Sequence, residues 1–115
     1  MAKNPFVRRT KLQLKLVLTH TFRTHLHEVT EYGNDVFGTR VAKQFHKDLM
    51  AKIIILPKTP NIYAKSRFIE STERKIYRNI VFRSYLVSYS VTSSTVRIID
   101  IVHQSTNPDT ISKLT

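Results

Sequence analysis

Residues 74–107 read RKIYRNIVFRSYLVSYSVTSSTVRIIDIVHQSTN, and the punctuation of this stretch decides the architecture. An apolar run from Ile76 to Phe82 stops at Arg83-Ser84. A second, from Tyr85 to Val91, stops at Thr92-Ser93-Ser94-Thr95, and a third continues from Val96 to His103. β-Branched and aromatic runs of this length, separated by short polar breaks, predict an antiparallel meander. Side chains alternate along a strand, so Tyr85, Val87, Tyr89 and Val91 share one face, expected in the core with the hydroxyls at its edge. Ile76, Arg78 and Ile80 share another. Arg78 among isoleucines points to an ion pair, a bound ligand, or a charge that guards a sheet edge.

Upstream of the meander the period changes twice. Leu12, Leu14, Leu16 and Leu18 alternate with Lys11, Gln13, Lys15 and Val17, which predicts a strand with one face on the core. Phe22, Leu26, Val29, Gly33 and Val36 then follow steps of three and four, the spacing of one helical face, while Arg23, His27, Glu28 and Glu31 fall away from it. Gly38 should end this helix and Thr39 cap the next. The second helix carries Val41, Ala42, Phe45, Leu49, Ile53 and Leu56 inward and Arg40, Lys43, Lys47 and Lys52 outward, and Pro57 and Pro60 end it. The segment 58–72 has weak periodicity and reads as a loop, with a short strand or turn near Phe68 and Ile69. The order is β-α-α-β-β-β, an α+β fold with an antiparallel-rich sheet and the helix hairpin packed on one face. Residues 1–115 form a single domain, with Met1 to Thr10 expected as a flexible basic tail.

Composition excludes several function classes. A chain of 115 residues builds a core without staples, and it has no cysteine, which rules out disulfides, thiolate metal sites and a cysteine nucleophile. No apolar run is long enough to span a bilayer, and the basic N-terminus leads into a run broken by Gln13 and Lys15. No signal peptide is expected, no membrane partner, and a cytoplasmic location follows. With only two glycines there is no phosphate-binding loop. His20, His25 and His27 do not share a helical face, so no metal site is expected, and no cofactor. Thr92 to Thr95 has no base nearby and reads as a turn. Nineteen Lys and Arg against eight Asp and Glu give a net charge of +11. Such an excess on a small domain favours a polyanion or an acidic protein partner.

Taken together, the Arg74-Lys75 opening, the YLVSYSV middle strand and the IIDIVHQSTN close resemble the carboxy-terminal half of the RelE/ParE toxin superfamily. The closing His103-Gln104-Ser105-x-Asn107 is similar to the ParE branch in particular. Tyr32-Gly33 through Phe37-Gly38 and Leu56-Pro57-x-x-Pro60 extend the resemblance over roughly Lys11 to Asn107. It implies the toxin of a type II toxin–antitoxin pair, held inactive by a cognate antitoxin whose C-terminal segment wraps its surface. In this superfamily RelE-like members cut messenger RNA in the ribosome, and ParE-like members poison DNA gyrase.

Chemistry separates the two branches. Cleaving RNA without a metal requires activating the 2′-hydroxyl, stabilising charge on the phosphate and protonating the leaving oxygen. The resemblance implies that RelE-like chains do this with Arg and Lys on the sheet, helped by a Tyr or His near the C-terminus. One Arg lies three residues before the Tyr of a Tyr-x-Val ending. Here that Tyr is Tyr89, and the position holds Leu86. The favoured expectation is therefore a ParE-like gyrase inhibitor without catalytic residues. The alternative is a ribosome-dependent mRNA endoribonuclease using Arg78, Arg83 and His103. His103 also reads as a histidine that simply fixes the C-terminus by a bond to the neighbouring turn. Arg74, Lys75, Arg78, Arg83 and His103 are the candidate contacts to target or nucleic acid, unless the cations are solvated edge charges. The antitoxin is expected over Arg40, Lys43 and Lys47 and along a free edge of the meander. A plain nucleic-acid-binding domain is the third reading, weakened by the scarcity of aromatics interleaved with the basic residues.

Overall fold

A computed structural model describes residues 13–105, so the tail Met1–Thr10, Lys11, Leu12, Thr106 and Asn107 lie outside the described residues. The elements run β1 (Lys15–Leu18), α1 (His20–Phe37), α2 (Thr39–Ile54), β2 (Ile76–Phe82), β3 (Tyr85–Val91) and β4 (Thr95–His103). The strands form one sheet in the order β1-β4-β3-β2. The meander is antiparallel, and β1 lies parallel to β4, with Lys15 opposite Thr95 and Leu18 opposite Ile98. Strands β2 and β3 end where the apolar runs end. The alternation from Leu12 overstates β1: Gln13 and Leu14 are not strand, although the Leu14 amide donates to the Pro57 carbonyl at 3.2 Å.

Thr19 joins the sheet to the first helix. Its hydroxyl oxygen accepts from the Phe22 amide at 3.0 Å, capping α1, while the hydroxyl donates to the Ile99 carbonyl at 2.7 Å. Gly38 alone links the helices, with φ 97° and ψ 161°, a conformation that L side chains rarely adopt. Thr39 does not cap α2 as expected. It is already the first helical residue, and its hydroxyl donates to Asn34 Oδ1 at 2.6 Å, tying the start of α2 back to the end of α1.

Phe22, Leu26, Leu49, Ile53 and Leu56 pack the hairpin onto Ile80, Phe82, Val87, Tyr89, Val96, Ile98 and Ile101 of the sheet. A smaller cluster on the opposite sheet face joins Ile69 and Leu86 with Phe68, Tyr77 and Val102. The loop after α2 supplies Ile69. No strand forms at Phe68 and Ile69, because Ser66 Oγ accepts from both of their amides, at 3.0 and 3.1 Å, and holds them in a turn. The bridge lies earlier, at Lys65 opposite Arg78. The Ser66 amide donates to Tyr77 O at 2.7 Å and the Asn79 amide to Ala64 O at 3.1 Å. The β2 edge expected to be free is therefore covered along this length, as an exposed ladder of amides and carbonyls requires.

Between β3 and β4 the register shifts. Ser88 faces Asp100 and Tyr89 faces Ile98, leaving Ile99 as a bulge. The bulge falls where β1 stops at Ile98, so β4 continues without that neighbour. Polar side chains close the gap: Thr19 takes the Ile99 carbonyl, and Asp100 Oδ1 accepts the Ile101 amide at 2.7 Å. Among the described residues no helix is long and apolar enough to cross a membrane.

Candidate functional site

The β2–β3 connection is the most constrained point of the described chain. Phe82 pairs with Tyr85, which leaves only Arg83 and Ser84 to reverse direction. Two-residue hairpin loops match the strand twist through a positive φ, a place glycine usually takes. Arg83 takes it here, at φ 55°. Its guanidinium lies 4.9 Å from the Phe82 ring centroid and 5.5 Å from that of Phe45. Nη2 donates to Asp48 Oδ2 at 2.9 Å. From the end of β4, Gln104 Nε2 donates to the Arg83 carbonyl at 2.8 Å and the Gln104 amide to the Ser84 carbonyl at 2.9 Å. The ion pair is well exposed and contributes little by itself. Stacking and backbone tethers are what fix the arginine.

Edge-to-face aromatic contacts continue from this point. Phe45 meets Phe82 at 5.2 Å and Tyr85 at 5.5 Å between centroids, and Tyr85 meets His103 at 5.5 Å. His103 Nδ1 lies 2.8 Å from Ser105 Oγ and accepts from the Ser105 amide at 3.2 Å. With that nitrogen an acceptor, a neutral ring carries its proton on Nε2.

Beside the turn, a groove of about 240 Å³ runs between the helix hairpin and Arg83, walled by Val29, Tyr32, Phe37, Val41 and Phe45. Tyr32 is 59% exposed and Phe37 64%, with Val36 and Val41 about half exposed beside them. Contiguous apolar exposure of this kind on a charged domain marks an interaction surface. Sequence reading assigned Val36 and Val41 to the core. Their spacing suits a buried face, but they lie beside the Gly38 link at the hairpin tip and stay about half exposed.

The structure gathers only some of the residues singled out from sequence. Arg83 and His103 flank Tyr85. Arg78 lies four residues before Phe82, the β2 partner of Tyr85, about 13 Å away at the usual rise per residue, opposite Tyr89. Its Nη1 donates to Tyr63 O at 2.8 Å, and its buried Nε has no partner. Neither ion pair found among the described residues involves it. Arg74 and Lys75 precede β2, at the far end of the sheet from Arg83, and line a shallow concavity with Val91 and Ser93. Arg40, Lys43 and Lys47 are exposed on α2. Leu86 is 7% exposed in the cluster under Ile69, on the sheet face away from the helices.

Two polar groups sit in the core, and the sequence reading anticipated the burial of Tyr89 but not that of Asp100. Tyr89 is fully buried, its hydroxyl donating to Pro60 O at 2.9 Å, and burial pushes its pKa up to about 12. Asp100 is 1% exposed, with Oδ1 2.5 Å from His25 Nδ1 and Oδ2 without a partner. Burial raises its pKa, against the opposing pull of the His25 and Ile101 hydrogen bonds. The signal for Asp100 was present, a lone carboxylate in the run RIIDIV. Nothing local named His25 as its partner. Among the described residues no group of three metal-ligating side chains exists.

The family model described as the ParE toxin of the type II toxin–antitoxin system parDE matches residues 16–108, from β1 to beyond β4. No curated protein matches the chain. Among solved structures, the fold is similar to a chain of the chromosomal ParDE toxin–antitoxin system from P. aeruginosa, with a TM-score of 0.64 and 14% identity. That similarity covers 79% of this chain and 96% of the other. At this identity the likeness speaks for the fold, and the family match carries the assignment. The chain belongs to the ParE toxin family of type II toxin–antitoxin systems.

Proposed function

We propose that this toxin acts as a protein inhibitor of DNA gyrase and is neutralised in the cytoplasm by an acidic antitoxin encoded with it. Leu86 carries the reading. RNA-cleaving members of the superfamily are expected to place an arginine at this position. Here a buried leucine packs against Ile69, Phe68, Tyr77 and Val102, and an aliphatic side chain offers a phosphate no charge. The spread of the basic residues supports the same reading, since Arg78 lies apart from Arg83 and His103 on the sheet. The +11 charge and the exposed Arg40, Lys43 and Lys47 suit an acidic antitoxin that orders on binding.

The placement of Arg83 and His103 on either side of Tyr85 keeps ribosome-dependent mRNA cleavage as the second reading. One experiment separates them. Purified protein should increase gyrase-dependent breaks in supercoiled DNA and leave ribosome-bound messenger RNA intact. Codon-linked mRNA cleavage that disappears with His103→Ala would establish the nuclease instead, since loss of a proton donor removes roughly a hundred- to ten-thousand-fold in rate. Induction of the chain alone should arrest growth, and co-expression of the neighbouring acidic reading frame should restore it.

A further inference from the structure

We infer that Arg83 is the specificity anchor of the antitoxin contact: it receives a carboxylate from a segment whose adjacent apolar side chain fills the groove beside it. The inference rests on the toxin–antitoxin reading above and assigns one site within it. Three observations carry it. The groove walls are apolar and open, so an occupant needs a large aliphatic or aromatic side chain. Its rim holds one fixed cation. Asp48 takes a single N–H of Arg83, and a guanidinium has five, so donors remain for a second carboxylate.

The third observation is the backbone. A φ of 55° at a loop position suited to glycine costs stability, yet the chain places a long side chain there. It then holds that side chain against Phe45 and Phe82 and holds the carbonyl with Gln104. A guanidinium fixed in this way loses little further freedom when it binds, which favours a planar, two-point contact to a carboxylate. Charge complementarity selects the occupant. A second copy of this chain would bring another +11 to the groove, whereas an acidic segment brings the opposite sign.

The test measures the affinity of the full-length toxin for the purified acidic product of the adjoining reading frame. Arg83→Gln should weaken binding roughly tenfold or more, the loss expected of a hydrogen bond to a charged group. Arg83→Lys should fall between, since it keeps the charge and loses the fork. Asp48→Asn is the discriminating variant. It removes a competing carboxylate, so binding should tighten by roughly twofold, whereas a purely structural Arg83 predicts weaker binding and a lower Tm.

If the acidic product binds and Arg83→Gln stays within about twofold of the parent at unchanged Tm, the anchor is wrong and the functional reading stands. If that product neither binds nor neutralises, the functional reading fails and the anchor with it. Concentration-dependent dimerisation abolished by Phe37→Asp would assign the groove to a second copy. Duplex DNA or RNA binding lost with Arg83→Gln would assign the arginine to a nucleic acid. Either result overturns the inference.

Discussion

Asp100 sits in the middle of β4 with one carboxylate oxygen shared between His25 and the Ile101 amide and the other without a partner. Burial favours the protonated acid, so its folded pKa lies above the ordinary 3.8. The direction fixes the sign of the pH dependence. Below 3.8 both folded and unfolded states hold the proton, and the group's contribution is fully present. As pH rises through the folded value, the unfolded state has already ionised and the contribution is lost. Asp100→Asn keeps an acceptor for His25 and Ile101 and removes the ionisation. The Tm of the variant minus that of the parent should therefore increase from pH 3.5 to pH 7. A decrease would mean that the hydrogen bonds of His25 and Ile101 to the carboxylate outweigh desolvation. Tyr89 works at the other extreme with the same sign. Its pKa, raised from 10.0 to about 12, makes the fold lose stability as pH climbs through that window. Tyr89→Phe should lower stability near neutral pH by about 1 kcal/mol through the lost bond to Pro60 and show a shallower alkaline decline. Parallel alkaline curves for the two proteins would rule this out.

At the scale of elements, the helix hairpin turns on two glycines with opposite demands. Gly38 has open space where a Cβ would stand, so only its backbone resists substitution. Gly38→Ala should destabilise by about 1–3 kcal/mol, the cost of a conformation suited to glycine alone. At Gly33 the backbone is ordinary helix, and a Cβ would meet Ala42 Cβ at 3.8 Å, a normal contact. Gly33→Ala should stabilise by about 0.5–1 kcal/mol. Urea denaturation of both variants checks the contrast, and a destabilised Gly33→Ala would show that the helices are closer than this spacing implies. The elements also show which parts of the fold were legible. Strands β2, β3 and β4 could be read because turn residues bound each one locally. Leu12 to Leu18 alternates up to Val17, yet among the described residues pairing with β4 begins at Lys15, and partner length is absent from the sequence of the strand itself. The loop 58–72 was unreadable because its order comes from afar, from Ala64 and Ser66 on β2 and from Ile69 under Leu86. In the candidate site, Arg83 and His103 were visible as residues. The groove was not, since it needs the hairpin tip of α1 and α2 and the β2–β3 turn to meet.

Over the whole molecule the charge acts with opposite signs on the free and the bound toxin. The free chain carries +11 with its histidines neutral, and among the described residues Arg83–Asp48 is the one ion pair between an arginine or lysine and a carboxylate. Its basic residues are spread over α2, the start of β2 and the β2–β3 turn, so compaction works against self-repulsion. Salt shortens the reach of that repulsion from about 30 Å at 0.01 M to about 8 Å at 0.15 M. Raising NaCl across this range should therefore raise the Tm of the free toxin by about 4 °C, the shift that roughly 1 kcal/mol of relieved repulsion gives a domain of this size. The complex with an acidic antitoxin should respond in the reverse sense. Binding raises its Tm by mass action, salt weakens the attraction across the interface, and the extra stability shrinks as salt rises. Thermal melts of both species at the two salt concentrations give a paired readout. A free toxin indifferent to salt would mean that its cations are too dispersed to repel. A complex that gains stability with salt would place the contact on apolar surface such as Tyr32, Phe37 and Val41, with the basic residues as bystanders.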